Sequence, residues 1–356
     1  MKNNRKSNQT IKNILLLLCI SVFLTGCTLN RKQENIDLGM TAIQTLDYEG
    51  ALAYFEKALV NGEDKQLICR GQGLAYMGLT QYEESRDSLL KALSYNKRGP
   101  DDLAYDINYY LATAYYKLGD YEGALDTYTA IVALRPKESD AYYLRGSVEM
   151  DNGQYDAAIA DFEKAMELAP DNYDIYIDIY LSCDKNGYTQ VGQDYLKKLL
   201  QTPEIKLSQF DKGRISYYLK DYETARNALE EARSEDNKKV DVILMLGQTY
   251  EALGDYNYAA NIYAEYIKKD EKQPEVYNQL GLCKLVMKDY DAALAAFQSA
   301  LKLENNDIMQ TLQYNEIVTY EYLSDYKQAA VKLEKYLKSY PGDTKAQREY
   351  QFLKSR

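Results

Sequence analysis

The residues that could do chemistry are conspicuous for one omission: the 356-residue chain has no His. That removes the commonest general acid or base and the commonest metal ligand. A Ser or Cys nucleophile therefore has no imidazole partner. Cys69, Cys183 and Cys283 stand far apart, without Cys-x-x-Cys spacing. Neither a metal site nor a disulfide framework is expected, and each reads as a small buried apolar residue. Gly71-Gln-Gly73-Leu-Ala-Tyr-Met-Gly78 lacks the third glycine of a nucleotide loop, and no strand precedes it. Asp184-Lys-Asn186-Gly187 lacks the downstream ligands of a calcium loop and reads as a turn. Carboxylate pairs such as Glu230 and Glu231 belong to a solvated helix face. No catalytic residue, metal site or cofactor is expected, and the protein is read as a non-enzyme.

What remains is aromatic. The chain holds 37 Tyr, 6 Phe and no Trp. Eight tyrosines follow Asp or Gln at regular intervals: Tyr48, Tyr82, Tyr121, Tyr155, Tyr222, Tyr256, Tyr290 and Tyr326. Their spacing is 34 residues or close to it, except for one double interval that holds a degenerate copy around Gly187-Tyr188. Nine residues before the anchor stands Gly or Ala at Gly39, Gly73, Ala112, Gly146, Gly213, Gly247 and Gly281, while the last copy has Ile317 in that small column. Three residues after it the residue is small, usually Ala, and seven after it stands a large one, as Phe55, Leu89, Tyr128 and Phe162. A small residue inside a helix lets a partner helix approach, and the large residue fills the gap between them. A single helix pair cannot bury its apolar face, but a stack of pairs can.

This period and column pattern resembles the tetratricopeptide repeat over nearly all of residues 32–343. The resemblance implies an all-α, right-handed superhelical solenoid of about nine helix-turn-helix repeats, spanning 35–343. Residues 344–356 read as a polar capping helix. The copy at 173–206 departs from the pattern, with Tyr180 in the small column and Gly192 where Ala is usual, and a kink is expected there. About five extra residues near Lys97–Asp102 read as a longer loop.

The family's helix A lines a concave groove, which the resemblance places 12, 8, 5 and 4 residues before each anchor. Those columns hold Tyr109, Thr113, Tyr116 and Lys117, then Tyr143, Ser147, Met150 and Asp151. Later copies give Phe210, Arg214, Tyr217 and Tyr218, then Tyr314, Val318, Glu321 and Tyr322, with Asp184 in the degenerate copy. The partner-binding candidates are Tyr109, Tyr116, Tyr143, Phe210, Arg214, Tyr217 and Tyr218. Tyrosine offers large contact area at low entropy cost. The columns that carry a Lys/Asn carboxylate clamp in some family members hold Arg70/Leu74, Tyr109/Thr113 and Tyr143/Ser147, so no such clamp is expected.

The first 26 residues carry Lys2, Arg5, Lys6 and Lys12 and no acid, followed by an apolar run from Ile14 to Leu24. That run is too short for an ordinary spanning helix, which needs about 20 residues. Basic start, short apolar run and small residues describe an export signal. The run ends Leu24-Thr25-Gly26-Cys27, which resembles the bacterial lipobox. The resemblance implies a cleaved signal at 1–26, a lipid (palmitate-type acyl chains) on Cys27 and a tether at 27–34. It implies an extracytoplasmic protein anchored in a cell or outer membrane. Beyond residue 26 the net charge is −15, against −11 for the whole chain. Such a surface repels phosphate backbones and disfavours nucleic acid. The expected partners are protein or peptide segments, basic and apolar in character, in envelope or surface-complex assembly. The other readings weighed are a glycan-binding surface lipoprotein and a cell-wall enzyme of unrecognised chemistry. Glycan binders of this kind typically use Trp platforms and large insertions, which are not found here.

Overall fold

The computed structural model describes residues 33–354, apart from residues 98, 203 and 304–305. Cys27 and the export signal expected at 1–26 lie outside the described residues. All regular structure among the described residues is α-helical. The first pairs are α1 (Glu34–Gln44) with α2 (Tyr48–Val60), α3 (Lys65–Gly78) with α4 (Tyr82–Ser94), and α5 (Asp102–Leu118) with α6 (Tyr121–Leu134). Then come α7 (Ser139–Asp151) with α8 (Tyr155–Leu168) and α9 (Tyr173–Lys185) with α10 (Thr189–Gln201). The later pairs are α11 (Gln209–Tyr218) with α12 (Tyr222–Glu235), α13 (Val240–Ala252) with α14 (Tyr256–Ile267), and α15 (Pro274–Val286) with α16 (Tyr290–Ala300). The last pair is α17 (Met309–Tyr322) with α18 (Tyr326–Ser339), followed by α19 (Thr344–Lys354). Each odd-numbered helix up to α17 is a helix A, and each partner is a helix B.

Every anchor tyrosine opens a helix B. The preceding Asp is the reason in six pairs: its carboxylate accepts a hydrogen bond from the backbone N–H three residues on. Asp47 holds Gly50 at 2.9 Å, Asp120 holds Gly123 at 3.0 Å, and Asp255 holds Tyr258 at 3.0 Å. This is an N-cap, and it satisfies a donor the helix itself cannot. Helix A ends just upstream on a left-handed residue. Gly119, Gly153, Gly187 and Gly254 hold φ between 76° and 87°, while Leu46, Thr80, Lys220, Lys288 and Ser324 adopt the same conformation near 60°. Only glycine does so without a Cβ penalty.

The small and large columns face each other. A Cβ built on Gly39 would lie 2.6 Å from the Phe55 ring, and one on Gly146 would lie 2.9 Å from Phe162. The corresponding distances are 2.2 Å for Gly247 with Tyr263 and 2.5 Å for Gly281 with Phe297. Phe55, Phe162, Tyr263 and Phe297 are all fully buried. The expected kink at 173–206 has a different meaning in the structure. Here helix A carries the large residue and helix B the small one: a Cβ on Gly192 would stand 2.8 Å from the Tyr180 Cα. The small residue has crossed the interface, and Tyr180 remains buried. The helix B of this pair begins at Thr189, nine residues after Tyr180 and three before Gly192, so the pair keeps the register of the other copies.

The chain divides into two compact units. One holds the described residues up to Gly39, Leu52–Gly73 and Glu83–Thr202. The other holds Met40–Ala51, Leu74–Tyr82 and the chain from Pro203. The first contains a core around Tyr128, Ile131, Phe162 and Ile179; the second is centred on Leu246, Ile262, Tyr263 and Val276. At the C-terminal end, α19 packs Ala346 and Leu353 on Leu333 and Tyr336 of α18. No described helix is long and apolar enough to cross a membrane.

Candidate functional site

In the first unit, the inner columns of α5, α7 and α9 divide into buried and accessible side chains. Tyr109 and Tyr143 are buried. Tyr109 packs edge-on against Tyr105 and Tyr128, with ring centroids 4.9 and 6.2 Å apart, and accepts a 3.0 Å hydrogen bond from the Tyr105 hydroxyl. Tyr143 stacks on Phe162 at 6.3 Å. Both rings are therefore part of the packing between helices, and burial pushes both phenols far above their usual range. Tyr116 is half-buried and remains in contact with solvent.

The Tyr116 hydroxyl donates to Asp151 Oδ2 at 2.5 Å. Lys185 pairs with the same carboxylate oxygen and donates to the Tyr116 oxygen at 3.2 Å. Asn186 Nδ2 donates to Asp151 Oδ1 at 2.8 Å. Three consecutive helix pairs thus meet at one carboxylate whose side chain is only 7% exposed. Burial first, then the Asp151 carboxylate, raises the Tyr116 phenol well above its usual range, so it stays a neutral donor. Asp184, named among the inner columns, stands five residues before Thr189, and Lys185 takes the column four before it. With Thr189 as the anchor, Lys117, Asp151 and Lys185 occupy one column at intervals of 34 residues, and their charges alternate. That alternation was the available signal. Asp184 instead accepts from the Thr189 hydroxyl at 2.8 Å.

In the second unit Phe210 lies beneath two cations. The Arg214 guanidinium stands 4.9 Å from its ring centroid and the Lys239 ammonium 4.7 Å. Arg214 is also paired with Asp211 at 2.9 Å. Tyr217 and Tyr218 meet edge-to-face at 5.4 Å, and Tyr217 also touches Tyr222 at 5.6 Å. Further along, Tyr322 is 57% exposed and stacks nearly parallel on Tyr290, 5.3 Å away. Val286, one pair earlier in the same column, is 53% exposed. Leu244, Leu282 and Val318 add half-buried apolar surface to the inner columns of these pairs. At the start of α15, burial and then the nearby Asp307 and Asp241 carboxylates push Glu275 up to about 7. A third carboxylate among like charges is easier to keep protonated than ionised.

The buried thiols of Cys69, Cys183 and Cys283 are unpaired. No group of three or more acidic or Cys side chains among the described residues is arranged to hold a metal. The arrangement offers recognition chemistry: aromatic faces, apolar side chains and carboxylates on successive helices A.

Tandem antiparallel helix pairs, most of them closed by a glycine or alanine against a large side chain, define a helical-repeat solenoid. Tetratricopeptide repeat profiles match residues 70–139 and 109–173, 217–283 and 274–307, together more than half of the chain. The chain belongs to the tetratricopeptide repeat family. It is 23% identical over 241 residues to a TPR repeat-containing protein of Methanocaldococcus jannaschii; the match spans 62% of this chain and 40% of that protein. It is 26% identical over 148 residues to the DnaJ protein P58IPK homolog A of Oryza sativa, across 37% of this chain and 31% of that protein. The chain therefore spans less than half the length of either relative. Among solved structures, a tetratricopeptide repeat protein from Parabacteroides merdae is 16% identical, over 71% of this chain and 99% of that one, with a TM-score of 0.43. Yeast Tom70 is 17% identical, over 98% of this chain and 86% of that one, with a TM-score of 0.48.

Proposed function

We propose that this protein is a lipid-anchored, extracytoplasmic scaffold whose helix A faces capture protein segments that carry apolar anchors and Lys or Arg. The fold suits protein–protein interaction, as a rigid array of helices with no assembled catalytic group among the described residues. The observation that carries the ligand chemistry is the inner face of the second unit. Its helices A carry exposed Val286 and Tyr322 at their C-terminal ends, and the Asp241, Glu275 and Asp307 carboxylates stand near one another at the start of α15. Apolar side chains and carboxylates on one run of helices favour a cationic amphipathic segment over an acidic one. In the first unit, Tyr116 is held in a single orientation by Asp151, and preorganisation of this kind lowers the entropy cost of binding. Anchoring is supported by Leu24-Thr25-Gly26-Cys27 and the basic, then apolar, residues before it. A tether of about seven residues reaches at most about 25 Å, so capture would take place close to the bilayer. Work in envelope or surface-complex assembly fits that placement.

The test is crosslinking capture from native membranes with wild type and a Tyr116→Ala/Tyr217→Ala/Tyr322→Ala variant. Interface aromatics each carry about 2 kcal/mol or more when truncated. The variant should lose its partners while keeping its helical circular dichroism. Undiminished capture refutes the assignment to the helix A faces. Cys27→Ser tests the anchor separately: it should abolish palmitate labelling and leave uncleaved precursor.

A further inference from the structure

The turn between α18 and α19 reads Tyr340-Pro-Gly-Asp343 and is held rigid by its own bonds. Asp343 Oδ1 accepts from the backbone N–H of Lys345 at 3.1 Å and Ala346 at 3.0 Å. Its Oδ2 accepts from the Tyr336 hydroxyl at 2.7 Å, and the Pro341 carbonyl accepts from Gln347 at 2.7 Å. Tyr340 is buried with its ring 4.8 Å from that of Tyr336.

This turn lies against Thr80, in the A/B turn of the second helix pair. A Cβ built on Gly342 would stand 2.3 Å from the Thr80 carbonyl oxygen and 2.8 Å from its Oγ1. A clash with backbone cannot be relieved by a rotamer change, so the contact requires glycine. The turn glycines Gly119, Gly153, Gly187 and Gly254 meet nothing within 4 Å, so close approach is peculiar to this place. Thr80 itself holds a left-handed φ of 62°, and its hydroxyl is buried without a hydrogen-bond partner. Tyr82 and Tyr48 flank it: the Asp343 carboxylate adds to burial in raising the Tyr82 phenol, and Tyr48 lies close enough to Tyr340 to influence its titration. The contact accounts for Met40–Ala51 and Leu74–Tyr82 belonging to the same compact unit as the C-terminal half.

We propose that the residues around Tyr48, Thr80 and Tyr82 form a docking surface for the chain's own Tyr340–Asp343 turn, and that this contact is a closure within the second unit. Its seat depends on one glycine, so a single added side chain should open it while leaving each repeat intact. The closure stands apart from the binding reading above: it is read by hydrogen exchange, and binding by capture.

The experiment is amide hydrogen exchange on the full chain carrying Gly342→Val. Exchange at residues 46–51 and 79–82 should quicken about tenfold or more, with α5–α8 unchanged, because release is a local opening rather than global unfolding. Tyr82→Ala tests the contact from the other side and should quicken exchange at 340–347. If Gly342→Val fails to fold, the Tyr82→Ala result decides. A folded Gly342→Val with unchanged exchange at 79–82, or Tyr82→Ala with no effect at 340–347, overturns the proposal. Protection at 79–82 that increases with protein concentration also overturns it, because the contact would then be between two copies.

Discussion

Gly247→Leu probes the relation between the small column and the large one. The Cβ alone would lie 2.2 Å from Tyr263 Cζ and 2.4 Å from its hydroxyl oxygen. Ordinary contact begins near 3.4 Å, so the ring must move by roughly 1 Å in a close-packed interior. The ring is fully buried, and its hydroxyl donates to Glu251 Oε1 at 2.7 Å. Overpacking costs about 1–3 kcal/mol. Losing a hydrogen bond to a charged group adds about 1.5–3 kcal/mol if the ring turns away. Replacing a mid-helix glycine returns up to about 1 kcal/mol of helix propensity. The net expectation is a loss of about 2–4 kcal/mol in a denaturant titration. Gly247→Ala, which adds the Cβ alone, should fall at the lower end, and exposed Lys268→Ala should stay within about 0.5 kcal/mol. Repeats couple mainly to their neighbours, so hydrogen exchange should rise over 206–307 and less over 105–138. A cost below about 0.5 kcal/mol, or an equal rise in exchange at 105–138, would refute the reasoning.

Lys288→Gly relieves a non-glycine residue held at φ 63° and should stabilise the α15–α16 pair by up to about 1 kcal/mol, measured as a higher denaturation midpoint. Glu275 is raised from its ordinary 4.5 to about 7, so the folded chain holds that proton more tightly than the unfolded chain does. Its contribution is therefore present below pH 4.5 and is lost as pH rises towards 7; Glu275→Gln should flatten the fall in melting temperature across that window. If a cationic partner binds beside Glu275, its affinity should weaken as pH falls from 7 to 5 in a calorimetric titration, and Glu275→Gln should remove most of that dependence. Asp151→Ala leaves Lys185 and the Tyr116 hydroxyl without their shared acceptor; the Tyr116 phenol should then titrate at lower pH in an ultraviolet titration, and no change would show the bond to be unimportant.

The repeats were legible because their causes are local. An Asp-Tyr pair carries both a helix cap and the first residue of helix B within one turn. The glycine or alanine nine residues before the anchor and the large side chain seven after it mark a contact that most copies make within themselves. The degenerate pair lacks the anchor tyrosine, yet Tyr180 and Gly192 keep their places nine before and three after Thr189, so its register is legible in the sequence while its exchanged packing is not. The long loop near Lys97–Asp102 was also legible, since Asp101 caps α5 by accepting from Ala104 N–H at 2.7 Å.

The site was legible only in outline. Column position placed Tyr109, Tyr116 and Tyr143 on helix A, but whether a ring is sealed between helices or left accessible depends on what the adjoining helix presents. Tyr109 meets Tyr105 and Tyr128, and Tyr143 meets Phe162, whereas Tyr116 meets the Asp151 carboxylate of the next pair. The sequence by itself determined the helix pairs, their order and their turns, because capping, left-handed turn residues and small-against-large packing act over a few residues or within one copy. Tertiary structure alone decided the exchange of Tyr180 and Gly192 across their interface as a working contact, the meeting of Asp151 with Lys185, and the seat of Gly342 on Thr80. Each of these joins residues on different helices or turns, two of them across different repeats, and sequence spacing carries no distance between them until the chain has folded.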